Sequence, residues 1–185
     1  NSGVNITGIT LTGYITLGAG GMDLTQVFQM NNFANSLAAF EVVPCFAKGV
    51  LIETRTGPCA VEDLRIGDPI RTADRGDQEI RWIGQRKMPA FGRMAPVLIR
   101  KGALGNDRDM LVSQQHRMLI AGDQVRALFD TDEVLVPAKS LVNGDSITIR
   151  EDSEVEYFHI LFDNHEIVFA DGCPTESLYL GEQAL

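Results

Sequence analysis

The 185-residue chain is short of several things, and each shortage removes a class of function. Lys and Arg total 16 against 25 Asp and Glu, for a formal net charge of −9. A surface of that sign repels phosphate backbones and anionic headgroups, which excludes nucleic acid and membrane as natural partners. No apolar run approaches the roughly 18–20 residues that cross a bilayer as a helix. The opening residues, Asn1-Ser2-Gly3-Val4, lack the basic segment and apolar stretch of a secretory leader, and they lack an initiating Met, as expected of a chain cut from a longer one. Cysteine is limited to Cys45, Cys59 and Cys173, with no Cys-x-x-Cys pair. That argues against a disulfide framework, a zinc ribbon and a thioredoxin-like centre, and the odd count leaves at least one thiol free. Histidine is equally sparse, at positions 116, 159 and 165.

What remains is a globular composition, 44% hydrophobic with mean hydropathy near zero, long enough for one compact domain plus an appendage. Residues 4–20 alternate Ile, Leu and Tyr with Thr and Gly and predict short strands or a hairpin. Residues 23–40 place Leu24, Val27 and Phe28 at helical spacing behind Asp23. From Cys45 onward the texture changes to short apolar runs separated by turn signals at roughly the 8–12-residue spacing of an all-β domain. Strands are expected near 49–54, 68–73, 79–84, 96–100, 109–112, 117–120, 133–136, 145–150, 156–162 and 166–169. Gly57-Pro58, Gly67-Asp68, Gly76-Asp77, Gly122-Asp123 and Asn143-Gly144 mark turns. Trp82 reads as core, and short helical turns are expected at 61–64 and 138–141.

Those two turns belong to an internal repeat. "AVEDLRIGDPI" (60–70) and "PAKSLVNGDSI" (137–147) share Leu-x-x-Gly-Asp-x-Ile, with Leu64, Gly67, Asp68 and Ile70 corresponding to Leu141, Gly144, Asp145 and Ile147. Each copy is a turn ending in a glycine suited to positive φ and feeding a strand. The repeat predicts two related halves packed about a pseudo-two-fold axis.

Cys45 follows Pro44 and heads a β-rich run, "CFAKGVLIETRTG". A cysteine so placed is a buried hydrophobe, a disulfide partner, a metal ligand or a nucleophile. For Cys59 and Cys173 the first reading serves. A zinc site from Cys45 and two histidines is disfavoured, because His159 and His165 straddle a strand end and no second cysteine lies near in sequence. A papain-like protease is disfavoured as well, since its cysteine opens a helix whose dipole acidifies the thiol, and Cys45 opens a strand. His116 lies in "LVSQQHRML", with Ser113 just upstream. Strand alternation puts His159 on one face with Tyr157 and Leu161, while His165 falls at the turn after Asp163-Asn164.

Taken in order, "CFAKGVLIETRTGPCAVEDLRIGDPIRT", "LVSQQHRML" and "HILFDNHEIVFADG" resemble the Hint superfamily of inteins, hedgehog autoprocessing domains and bacterial intein-like domains. "PVLIRKGALGNDRDMLVSQQHRML" is most similar to the bacterial branch, whose members often sit in secreted proteins. The resemblance implies an all-β, horseshoe-shaped Hint fold with pseudo-two-fold halves. It implies a division into an upstream, extein-like flank at 1–44 and a Hint autoprocessing domain at 45–185.

It also implies a reaction. Cys45 would attack the Pro44 carbonyl, an N-to-S acyl shift at the Pro44–Cys45 bond, in a single turnover that needs no cofactor and no metal. His116 would hydrogen-bond and protonate the leaving nitrogen, and Ser113 would orient the scissile peptide. His165 matches the histidine of the late block. His159 falls where inteins often carry Asp or Cys, and either replaces that group or packs. Asp163 either orients a histidine or is a plain turn aspartate. The substrate would be the chain's own upstream polypeptide, with water or a small thiol or amine accepting the acyl group, in a monomer.

Two features depart from the family pattern. Splicing inteins end in His-Asn before a nucleophile, whereas this chain has Thr175-Glu176-Ser177 in that region. Without the asparagine, C-terminal cyclisation and true splicing are not expected, and Ser177 is left as an ordinary surface residue. Pro44 fixes its own φ and pushes Val43 to an extended conformation, which presents the scissile strand but crowds its carbonyl. The alternative is a Hint-fold scaffold or interaction module that no longer cleaves.

Overall fold

The computed structural model describes residues 44–178. The strands expected at 4–20 and the helix at 23–40 lie outside the described residues. The first half comprises β1 (Phe46–Ala47), β2 (Leu51–Thr54), β3 (Gly57–Ala60), β4 (Pro69–Thr72), β5 (Gly76–Glu79), β6 (Trp82–Ala90) and β7 (Val97–Ile99). The second comprises β8 (Met110–Val112), β9 (Arg117–Ala121), α1 (Asp123–Phe129), β10 (Glu133–Pro137), β11 (Ile147–Ile149), β12 (Asp152–Leu161), β13 (Ile167–Ala170) and β14 (Cys173–Glu176).

Two antiparallel sheets result. One has the order β11-β7-β8-β1-β12-β6, and the other runs β10-β9-β14-β13-β2-β4-β5 with β3 paired to β2. The internal repeat explains the arrangement. In each half a hairpin (β2–β3 or β9–β10) leads through a 3₁₀ turn (Val61–Asp63 or Ala138–Leu141) to a glycine and a further strand (β4 or β11). Gly67 and Gly144 have φ of 90° and 77°, a region closed to most side chains and open to glycine. Ile70 and Ile147 then bury equivalent side chains, each stabilising by about 1.5–3 kcal/mol. Equivalent strands meet antiparallel across the axis: β1 pairs β8 at Phe46–Val112, and β6 pairs β12 from Ala90–Asp152 to Trp82–Leu161.

Differences from the sequence reading are local. Gly122-Asp123 opens the helix α1, not a plain turn, with Gly122 at φ 126° as its N-cap. This short helix exposes Leu128 and Phe129, so it carries no apolar face for periodicity to detect. Gly57 opens a strand, because the turn is the preceding Arg55-Thr56 pair of the hairpin joining Thr54 to Gly57. Ser177 is fully buried, not a surface residue: its N–H donates to Glu166 O at 2.9 Å and its Oγ accepts from Glu166 N–H at 3.0 Å.

Strand alternation sorts the interior into two apolar clusters. Phe46, Phe158, Ile160 and Phe162 enter the larger one. Cys45, Ala47, Trp82, Tyr157, Leu161 and Leu178 form the smaller one. His159 has the parity of Tyr157 and Leu161, so β12 delivers it to the cluster that holds Cys45. Leu178 closes this cluster by bonding its N–H to Ile160 O, 2.9 Å away.

Candidate active site

The peptide linking Pro44 to Cys45 is held at every polar atom that its two residues present to the interior. On the Pro44 side, the carbonyl oxygen lies 2.9 Å from His159 Nδ1. The amide nitrogen of Cys45 donates to Ser113 Oγ at 3.1 Å. The Cys45 carbonyl accepts from Ser113 N–H at 2.9 Å and from His116 Nδ1 at 3.1 Å. Cys45 Sγ is 3.6 Å from His159 Nε2. Ser113 sits beyond the end of β8, whose pairing with β1 brings it beside Cys45.

Simple proton accounting assigns the tautomers. A carbonyl oxygen only accepts, so Nδ1–H of His159 donates to Pro44 O and Nδ1–H of His116 donates to Cys45 O. Both rings are fully desolvated, and burial holds each pKa down to about 4. Each ring is therefore neutral near pH 7, with Nε2 bare. The Nε2 of His159 accordingly accepts the Cys45 S–H. Burial pushes the Cys45 thiol well above its ordinary value, and the Ser113 hydroxyl opposes that by hydrogen-bonding it. The resting pair is thiol and neutral imidazole, not thiolate and imidazolium. His159 engages both the Cys45 thiol and the Pro44 carbonyl, one with each ring nitrogen.

His116 packs against Phe46 in a T-shaped contact, with ring centroids 4.5 Å apart. Its Nε2 lies 2.5 Å from Thr175 Oγ1 on β14. Thr175 is a contributor that motif reading passed over: only the pairing of β14 with β9, at Thr175–Met118, brings it here. On the Cys45 nitrogen itself the partner is Ser113 Oγ; His116 holds the carbonyl of the same residue.

His165 stands elsewhere, half-buried, with Nε2 3.3 Å from Glu176 Oε2. Glu176 Oε2 is also ion-paired with Arg117 Nη2 at 2.6 Å, and Oε1 accepts from Arg117 N–H at 3.0 Å. Burial pushes this carboxyl upward, but the bonds from His165 and Arg117 outweigh it and the net direction is down. The cluster fastens β14 to β9 behind His116. Asp163 serves neither histidine; it is exposed and accepts Arg81 Nη2 at 2.9 Å. Cys59 and Cys173 are free and pack with the larger apolar cluster. Among the described residues, no group of three or more His, Cys, Asp or Glu is disposed to hold a metal, and no helix is long and apolar enough to cross a membrane.

The chain is thus folded around its own Pro44–Cys45 peptide bond. A family model described as "Hint domain" matches residues 44–182. The chain belongs to the Hint family. Among solved structures it is similar to the bacterial intein-like domain from Clostridium thermocellum, at 15% identity and a TM-score of 0.51, covering 73% of this chain and 98% of that one. It is also similar to a splice-inactive variant of the AceL NrdHF class 3 split intein, at 14% identity and a TM-score of 0.50, covering 72% and 97%. No curated protein matches the sequence. Family and fold support an autoprocessing type of domain that acts on its own flanking polypeptide.

Proposed function

We propose that this Hint domain cuts the chain once, at Pro44–Cys45, with residues 45–185 as the processing domain and 1–44 as the end of the flank released. The observation that carries the reading is the double engagement of His159, with Nδ1 on Pro44 O and Nε2 on Cys45 Sγ. As Sγ attacks the Pro44 carbonyl carbon, its proton passes to His159 Nε2. The ring becomes cationic, and Nδ1–H then faces a developing oxyanion with charge on both partners. The transfer that creates the nucleophile thus also creates the oxyanion stabiliser.

Collapse of the tetrahedral intermediate breaks the C–N bond and leaves Pro44 as a thioester on Cys45. The nitrogen departs as an amine with one proton more than the amide had, in sum the proton that Sγ gave up. Ser113 orients that nitrogen, His116 holds the carbonyl of the same residue, and the cationic His159 ring gives the proton it took from sulfur to the departing nitrogen, ending neutral. Water, or a small thiol or amine, then resolves the thioester. Thr175-Glu176-Ser177 supplies no asparagine to cyclise, so the reaction ends with release of the N-terminal flank. His165 acts at a distance, through Glu176 and the seating of β14.

A second reading, a scaffold that does not cleave, draws on the complete burial of Cys45 and the upward push on its thiol. Intact mass of the full chain, followed over hours with and without dithiothreitol beside a Cys45→Ala control, separates the two. Thiol-accelerated scission between Pro44 and Cys45 that is absent in the control supports self-cleavage. Wild type that keeps full mass under all conditions leaves the scaffold.

A further inference from the structure

Thr175 has an unusual hydrogen-bonding position. Its side chain is fully buried, and Oγ1 lies 2.5 Å from His116 Nε2, 2.9 Å from Arg117 O and 3.5 Å from Met118 Sδ. A threonine hydroxyl has a single proton and two lone pairs, so it cannot donate to all of these at once. The other ring nitrogen of His116 removes most of the freedom: Nδ1 faces the Cys45 carbonyl, which only accepts, so Nδ1 is protonated throughout. When the ring is neutral, Nε2 is bare and the Thr175 O–H donates to it. When the ring is cationic, Nε2–H donates to Thr175 Oγ1, and the hydroxyl proton turns to Arg117 O. Both arrangements use atoms already in reach and differ by one torsion of a hydroxyl.

We propose that Thr175 is a positioning residue for His116, its O–H donating to Nε2 so that the neutral ring keeps Nδ1–H on the Cys45 carbonyl. This rests on the self-cleaving reading in one respect, that a firmly held Cys45 carbonyl helps its nitrogen to depart. Without that hydroxyl the buried Nε2 would be an acceptor with no donor, and the other tautomer would set a bare Nδ1 against the Cys45 carbonyl. The surroundings leave the task to Thr175. Phe46 on β1 makes a T-shaped ring contact, the Glu176 carboxylate on β14 is engaged by Arg117 and His165, and β12 contributes His159, which is turned to Pro44 and Cys45. Of these, Glu176 favours the charged ring, while Arg117 and His159 oppose it.

The test is ¹⁵N NMR of the His116 ring in the full chain carrying Cys45→Ala, which stays uncut and keeps the backbone carbonyl that Nδ1 binds. Near neutral pH the expected signals are a protonated Nδ1 and a bare Nε2 shifted by an accepted hydrogen bond. Thr175→Val, of the same shape, should move Nε2 to the position of an unbonded nitrogen, whereas Thr175→Ser should leave it in place. In the cleavable chain, Thr175→Val should slow scission by about tenfold, the worth of one such bond, and Thr175→Ser should restore the rate to within about threefold. A neutral ring protonated at Nε2, or an Nε2 signal that Thr175→Val does not move, overturns the proposal. If Thr175→Val does not fold, as Trp82 fluorescence would report, the parent tautomer and the serine variant still decide the question. If no chain is cut, wild type included, self-cleavage fails while the nitrogen signals still judge Thr175.

Discussion

Nδ1 of His159 lies 2.9 Å from the carbonyl oxygen of Pro44, on the same peptide bond whose nitrogen belongs to Cys45. A side chain on β12 thereby reaches the residue just before the first strand. The contact makes the Pro44–Cys45 peptide bond part of the fold.

Removal of that ring should affect chemistry far more than folding. His159→Ala is expected to slow cleavage by about 100-fold or more, since general base and oxyanion donor go together. His159→Gln, which retains a hydrogen-bond donor but no base, should stay close to the alanine variant in rate. First-order rates from intact mass with saturating hydroxylamine measure this. A glutamine variant near wild-type speed would mean that His159 positions the carbonyl and does not take the proton.

Ser113 engages Cys45 through its hydroxyl and its backbone N–H, and substitution reaches only the first. Ser113→Ala is therefore expected to slow the acyl shift by about tenfold, with Ser113→Thr recovering most of the loss. Equal rates for serine and alanine would assign the orientation of the scissile nitrogen to the backbone alone.

The pH dependence follows from the direction of two shifts. Burial holds His159 down at about 4, so its Nε2 is bare throughout the neutral range; burial pushes the Cys45 thiol up, so the proton stays on sulfur. With reactive thiol and base both present, the first step should be nearly level from about pH 6 to about pH 8. It should fall as pH drops towards about 4, where Nε2 takes up a proton and ceases to be a base. A rate that climbs about tenfold per pH unit across the neutral range would instead indicate attack by free thiolate.

Gly84 sits opposite His159 in the β6–β12 ladder, beneath the indole of Trp82. A Cβ there would meet the Trp82 six-membered ring, with Cζ3 and Cζ2 at 2.8 and 2.9 Å. Gly84→Ala should destabilise by about 1–3 kcal/mol through overpacking, and should slow cleavage as the strand shifts under His159. Trp82 is the only tryptophan, so its fluorescence reports the denaturation midpoint directly. An unchanged midpoint would show that the indole moves aside freely.

Much of the domain was legible in the order of residues. Short apolar runs between glycine turns produce the two antiparallel sheets, and the Leu-x-x-Gly-Asp-x-Ile repeat anticipates paired halves because glycine alone sits easily at the φ of Gly67 and Gly144. Alternation along β12 was enough to group His159 with Tyr157 and Leu161. The helix at Asp123–Phe129 was not legible, since seven residues with two large apolar side chains turned outward lack a periodic face. Nor was the burial of Ser177, whose partner is the backbone of Glu166 across a strand pairing.

Local chemistry determined that Cys45 heads a strand, that the halves repeat, and that no asparagine stands at Thr175-Glu176-Ser177. Tertiary structure alone decided what each histidine faces. Hydrogen bonds at 2.9 or 2.5 Å depend on which strands cross, and β1 against β12 and β14 against β9 are pairings between segments far apart in the chain. Residue order determines which side of a strand a ring occupies, but only the closed fold determines what lies opposite. That is why His159 came to hold both the thiol and the carbonyl, His165 was turned to Glu176, and Thr175 became the partner of His116.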